Sequence, residues 1–349
     1  MTTPETGFLV VADLTGYTSY LSQSELEHAP MVAGDLLETI VKRLDPPFRL
    51  AKFEGDAAFL FVDDGGADPS LLLDSIEAAY LAFRRRLRSI EQATTCDCNS
   101  CKLAPRLDLK VFVHHGSYVR TRIYGRDELA GSEVIVVHRL LKGTTAAAAR
   151  ANGFALFTRA AVKALGLDVE VLALAPAEEA IEFLGTIQTY RLDLETRWQV
   201  ETASRRLEAG TGALLLDVDA TVRADLATVW AHLTSPELRS LWEGPIVFEE
   251  TLPSGRRGVG ALTQCVTGNL ATLEEIVDWQ PYDHVGWRLA IPDVGPVDAT
   301  ADLESVEGVT HVRVRWDRPR EPALDPVIEQ RVRDERSAAL RRLVTVLEG

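Results

Sequence analysis

Leu50–Phe61, LAKFEGDAAFLF, is the stretch on which the fold turns. Its apolar positions predict two short strands meeting at Glu54-Gly55-Asp56, where Gly55 permits the bend. Yet Lys52, Glu54 and Asp56 set three charges within five residues at the tip of an apolar hairpin. A second stretch, Val10–Tyr17 (VVADLTGY), has the same character, an apolar strand ending on the single acid Asp13. If the two strands are neighbours in one sheet, both carboxylates meet at one edge. Two hard oxygen ligands there, with phosphate oxygens completing the shell, suit Mg²⁺ or Mn²⁺. A plainer alternative stays open, in which Asp13 caps a turn and Asp56 is an ordinary hairpin acid.

Working outward, Met31, Val32, Leu36, Leu37, Ile40, Val41 and Leu44 recur at helical spacing until Asp45-Pro46-Pro47 stops them. Leu72, Ile76, Ala79, Tyr80, Phe83, Leu87 and Ile90 share the face of a second helix. Arg106–Gly116 reads as a strand and Ser117–Gly125 as its antiparallel partner. A helix, or a helix and a loop, follows from Ser132. The pattern predicts an α+β sandwich over residues 1–195, with helices packed on a largely antiparallel sheet. Residues 196–211 are polar, lack strand alternation and read as a linker. Residues 212–349 open with a strand and a helix. Gly-punctuated strands follow, then a long helix with Asp325 as N-cap, Pro326 as first residue and a stripe of Ile328, Val332, Leu340, Leu343 and Leu347. That order predicts a curved sheet gripping a helix.

The totals narrow the function. A chain of 349 residues accommodates two domains. Fifty-two acids against 37 bases give a net charge of −15, which speaks against a general nucleic-acid binder. No run approaches the ~20 apolar residues of a membrane span, and the first residues lack a secretory signal pattern. The expectation is a soluble cytoplasmic protein. Of four cysteines, Cys96, Cys98 and Cys101 fall in CDCNSC and Cys265 stands alone, unlike the even framework of a secreted domain. The three thiols suit one soft ion, Zn²⁺ above all, with a fourth ligand from His114, His115 or another chain. Alternation along their strand sends the two histidines to opposite faces. A loop of reduced thiols and a redox role remain alternatives.

Four motifs in order over residues 7–142 carry a resemblance: VVADLTGYTSYL, KFEGDAAFLF, LKVFVHHG and ELAGSEVIVVHRLLK. Together they resemble class III nucleotide cyclases. The cysteine loop and the VHRLLK ending place the chain nearest a cyclase-like family known only as a domain of unknown function. The resemblance implies a ferredoxin-like core and a head-to-tail homodimer that converts ATP to cyclic AMP. Asp13 and Asp56 would hold two cations that activate the ribose 3′-hydroxyl and neutralise the triphosphate. Lys52 matches the base-reading lysine, and Glu128 stands where adenine-specific members carry aspartate. Arg139 matches the arginine that stabilises charge on phosphate. One position departs: the ribose-orienting asparagine, four residues before the arginine, is Ile135, which has no donor or acceptor. His138 is a candidate substitute donor.

Residues 212–349 resemble the START-like, helix-grip superfamily of polyketide cyclases and lipid carriers. DVDATVRADLATVWAHLTSPELRSLW, EEIVDWQPYDHVGWRL and the last helix carry the likeness. It implies an apolar cavity for an unknown hydrophobic ligand, with Trp242, Trp279, Trp287 and Trp316 as candidate lining. No acid–base pair stands out in this half. Three functions follow as expectations: a cyclase, an inactive cyclase homologue that dimerises or senses nucleotide, and a hydrophobic-ligand carrier.

Overall fold

The computed structural model describes residues 3–65, 68–93, 98–145, 153–203, 206–209, 213–244, 247–252, 255–267, 270–292, 294–319 and 324–349. The chain divides into two units, Met1–Ala203 and Ser204–Gly349.

In the first unit β1 (Glu5–Thr15) leads through α1 (Tyr17–Gln23) and α2 (Ala29–Leu44) to the hairpin β2 (Arg49–Glu54) and β3 (Ala57–Asp63). Then come α3 (Pro69–Ala93), α4 (Asn99–Leu103), β4 (Asp108–Ile123), β5 (Arg126–Ala130) and α5 (Ser132–Leu140). The unit closes with β6 (Phe154–Thr158), α6 (Arg159–Leu165), β7 (Ala175–Ile181), β8 (Gly185–Asp193) and α7 (Leu194–Ala203). The sheet runs β2-β3-β1-β4-β6-β8-β7, with β5 paired to β4. Among the described residues only β4 and β6 pair in parallel.

β1 is central because both of its faces are covered. Val10, Ala12 and Leu14 pack with Leu36 and Ile40 of α2 and Ile76 and Phe83 of α3. Leu9 and Val11 pack on the other face with Phe59 of β3 and Val136, Val137 and Leu140 of α5. A strand buried on both faces reads as a continuous apolar run, so Asp13 at its end is conspicuous. Each such large side chain stabilises the sandwich by roughly 1.5–3 kcal/mol.

Two expectations need correction here. Arg106–Gly116 and Ser117–Gly125 are not two paired strands: β4 runs unbroken from Asp108 to Ile123. Gly116 does not turn the chain. It faces Gly7 across the sheet, and a Cβ there would lie 2.6 Å from Glu133 Cγ, so the residue serves close approach. The turn falls at Tyr124-Gly125, both at positive φ, and β5 is the true partner. The stretch read as linker begins in a helix: α7 packs on the first unit through Leu194 and Trp198.

The second unit contains β9 (Leu214–Val222), α8 (Leu226–Thr234), α9 (Pro236–Glu243), β10 (Val247–Thr251), β11 (Leu262–Thr267) and β12 (Leu270–Gln280). β13 (His284–Ile291), β14 (Gly295–Val306), β15 (Val309–Asp317) and the long α10 (Pro326–Glu348) complete it. Its antiparallel sheet has the order β10-β11-β12-β13-β14-β15-β9. Asp325 caps α10 by accepting the Val327 N–H at 2.7 Å, and Pro326 fills the first turn without losing a bond. Val332 of α10 packs with Leu215, Leu289, Val297 and Ala299 of three strands. No described helix is long and apolar enough to cross a membrane.

Candidate functional site

β1 lies between β3 and β4, so Asp13 stands opposite Ala57 on one side and Lys110 on the other. The Leu14 N–H donates to the Asp56 carbonyl at 3.1 Å. That bond latches the β2–β3 turn to the end of β1 and sets Asp56 beside Asp13. Burial first, and then the Asp56 charge, pushes the Asp13 carboxyl up to about 6, while Lys110 works against them. Burial also raises Asp56, against a backbone hydrogen bond that lowers it. Two part-buried acids with raised proton affinity form a hard-oxygen donor set that fits Mg²⁺ or Mn²⁺.

A second cluster lies on β2, β5 and α5. Lys52 Nζ donates to Glu128 Oε2 at 2.9 Å and lies 3.2 Å from Glu54 Oε1. The hydrogen bond to Glu128 is the chief reason the Lys52 pKa is raised. His138 Nδ1 donates to the Val134 carbonyl at 2.7 Å, and Nε2 lies 3.0 Å from Glu54 Oε2. Its ring packs edge-on to Phe59, so it is drawn inward rather than held free as a donor. Ile135, 53% exposed, and the exposed Arg139 lie one turn apart on α5 and share an open recess with Val134, His138 and Lys142. Among the described residues no hydrogen bond or ion pair joins Asp13 or Asp56 to Lys52, Glu128 or Arg139.

Cys98 caps α4, its sulfur accepting the Cys101 N–H at 3.4 Å. Cys96 lies outside the described residues. Neither histidine expected to complete this group reaches it. His114 is buried between Thr158 Oγ1 at 2.9 Å and Glu133 Oε2 at 2.6 Å. His115 packs on Phe8 and meets Asp64 at 2.8 Å. The histidine beside the thiols is His28, with Nδ1 at 3.0 Å from Cys98 Sγ and 4.0 Å from Cys101 Sγ. Seventy residues separate it from Cys98, and no spacing pattern marked it.

The second unit holds a cavity of about 70 Å³ between its sheet and α10. Leu216, Val218, Leu289 and Leu340 give it apolar walls, and Trp242, Trp287 and Trp316 also line it. Trp279 does not: it packs against Trp230 of α8, which fills that end of the sheet. One wall carries charge. Buried Arg239 donates to Glu243 at 2.8 Å and to Glu274, and Arg336 donates to Glu243 at 2.7 Å. Burial favours neutral Glu243, but Arg239 and Arg336 outweigh it and hold the carboxyl below the usual carboxylate range. Arg239 and Glu243 sit four residues apart on α9, a signal visible in the sequence, whereas Glu274 and Arg336 join them only in the fold.

Residues 214–348 match the family described as polyketide cyclase / dehydrase and lipid transport. Residues 33–149 match one described as a protein of unknown function, DUF2652. Among solved structures, the adenylyl cyclase CyaB from P. aeruginosa is similar over 59% of this chain and 98% of that one, at 17% identity and a TM-score of 0.42. DynU16, a putative protein in the dynemicin biosynthetic locus, is similar over 38% of this chain and 46% of that one, at 21% identity and a TM-score of 0.32. The match to the family of unknown function falls in the first unit, and the match to the polyketide cyclase / dehydrase and lipid transport family falls in the second. The uncharacterized protein Rv2561/Rv2562 of Mycobacterium tuberculosis (strain ATCC 25618 / H37Rv) is 32% identical over 161 residues, 46% of this chain and 73% of that protein. The chain belongs to the family of that mycobacterial protein.

Proposed function

We propose that the first unit binds a purine nucleoside triphosphate, ATP before GTP, through Mg²⁺ or Mn²⁺ at Asp13 and Asp56 in a head-to-tail homodimer. It converts ATP slowly to cyclic AMP, and the second unit holds a small hydrophobic molecule. The observation that carries this reading is the acid pair. The two carboxylates are latched side by side, burial raises the proton affinity of both, the Asp56 charge raises Asp13 further, and Lys110 offsets only part of that. When bound, the cations would activate the ribose 3′-hydroxyl and neutralise the triphosphate.

The chain's own residues supply the rest. Lys52 offers donors and Glu128 only acceptors, a pair suited to the ring-nitrogen acceptor and amino donor of adenine. Arg139 is exposed on α5, where its guanidinium is available to the triphosphate bound at a second copy's acids. Ile135 favours a second reading, binding without turnover. It is 53% exposed with nothing to orient a ribose, and His138 is already engaged. Loss of one such positioning group costs about 10²–10³ in rate.

The test is product analysis of the full chain with ATP, and separately GTP, in Mn²⁺, with Asp56→Asn as control. Cyclic AMP that vanishes in the control supports the cyclase, and Ile135→Asn should then raise its rate. Mn²⁺-dependent nucleotide binding without product selects the second reading. Neither binding nor product refutes both.

A further inference from the structure

We infer that His28, Cys98 and Cys101 bind one soft divalent ion, Zn²⁺ by the chemistry of the donors, and that this ion pins the start of α2 to α4. This inference is independent of the nucleotide reading. The three ligand atoms lie within 4.8 Å of one another. A tetrahedral zinc with bonds of about 2.3 Å to sulfur and about 2.0 Å to nitrogen sets nitrogen and sulfur roughly 3.5 Å apart. The two nitrogen–sulfur distances, 3.0 and 4.0 Å, bracket that value, so small side-chain rotations bring the donors to a common centre.

The surrounding groups hold these donors rather than compete with them. Glu25 accepts the Asn99 N–H at 2.9 Å on one carboxylate oxygen. Its other oxygen accepts the Ser100 N–H at 3.0 Å and the Ser100 hydroxyl at 2.9 Å. Its carbonyl accepts the His28 N–H at 3.1 Å. One residue thus fixes both the turn that carries His28 and the segment that carries the cysteines. Its carboxylate is thereby engaged with the backbone of the segment that carries the cysteines. Supporting groups of this kind orient a metal's ligands. Two sulfurs and an imidazole select Zn²⁺ over Mg²⁺ or Mn²⁺, which separates this site from the acid pair. A Cys98–Cys101 disulfide is the competing arrangement, and it leaves His28 with no role.

The experiment uses the reduced full chain, freed of metal and titrated first with Co²⁺ and then with Zn²⁺. About one Co²⁺ per chain should give thiolate charge-transfer absorption and the strong visible bands of a tetrahedral ion, and Zn²⁺ should displace it. Zn²⁺ should raise the melting temperature of the wild type and leave that of His28→Ala unchanged. Glu25→Gln should weaken Zn²⁺ by roughly 10–100-fold, and His28→Ala by more. Asp56→Asn should bind Zn²⁺ like the wild type. Absence of the charge-transfer band in the reduced wild type overturns the inference, as does His28→Ala that binds Zn²⁺ as tightly as the wild type. His28 is only partly buried at a turn, so its truncation leaves a folded chain in which the loss can be read.

Discussion

Asp13 shows what a binding site does to its own domain. Its folded pKa is raised to about 6 against an ordinary 3.8, chiefly by burial and then by Asp56. The folded, metal-free protein therefore holds this proton more tightly than the unfolded chain does. The stabilisation is complete below pH 4 and is lost as pH rises through about 6. At pH 7 the ionised group costs the fold on the order of 2 kcal/mol. Asp13→Asn should raise the melting temperature of metal-free protein at pH 7 and shrink that gain toward pH 4. The same variant should lose any stabilisation by Mn²⁺. An unchanged or lower melting temperature at pH 7 would contradict the burial argument. Asp13, Lys52 and Asp56 stood out in the sequence because each is a charge set in an otherwise apolar strand or hairpin, whereas Glu128 was singled out only by the resemblance to nucleotide cyclases. His28 was not, because the fold alone brings it to Cys98 across seventy residues.

At the scale of elements, glycine carried the misreading of β4. A glycine in a strand signals either a turn or a close approach, and pattern alone does not separate them. Gly116 is the second kind, while Tyr124-Gly125, with φ of 48° and 78°, is the first. Gly116→Ala should cost about 1–3 kcal/mol by overpacking, because Glu133 is tied to His114 and cannot retreat freely. Urea unfolding would read this as a lower midpoint, and an unchanged midpoint would mean that Glu133 yields without loss. The charge group of α9, β12 and α10 makes a larger claim. Glu274→Ala leaves buried Arg239 with Glu243 alone, a charge that Glu243 already shares with Arg336. Breaking one partner of a buried pair costs about 3–5 kcal/mol. The sequence could show the Arg239–Glu243 spacing on one helix, but the two partners from a distant strand and helix needed the fold.

For the whole molecule, separate cores in the two units imply two separately addressable stabilities. Leu36, Ile76 and Phe83 belong to a core within Met1–Ala203, while Leu289, Val297 and Val332 belong to one within Ser204–Gly349. A ligand stabilises the unit that binds it by RT ln(1 + [L]/Kd), about 2.7 kcal/mol at a hundredfold excess over Kd. The two proposed ligands differ in what they require. A triphosphate is a polyanion approaching a chain of net charge −15 at a pair of acids, so its binding should depend on a cation that reverses the local sign. A cavity of about 70 Å³ admits little more than a water or two as it stands, so a hydrophobic ligand must part α10 from the sheet to enter. Calorimetry of the full chain should therefore show ATP with Mn²⁺ raising one transition, and chelation abolishing that rise. A medium-chain fatty acid, used as probe, should raise the other, with or without metal. If ATP shifts a transition equally well in chelator, the acid pair is not its anchor. If the fatty acid shifts neither transition, the small cavity is a packing defect beside a charged wall and not a binding site. Should each ligand raise both transitions, the units are coupled, and nucleotide affinity must then change with cavity occupancy by the same factor that cavity affinity changes with nucleotide.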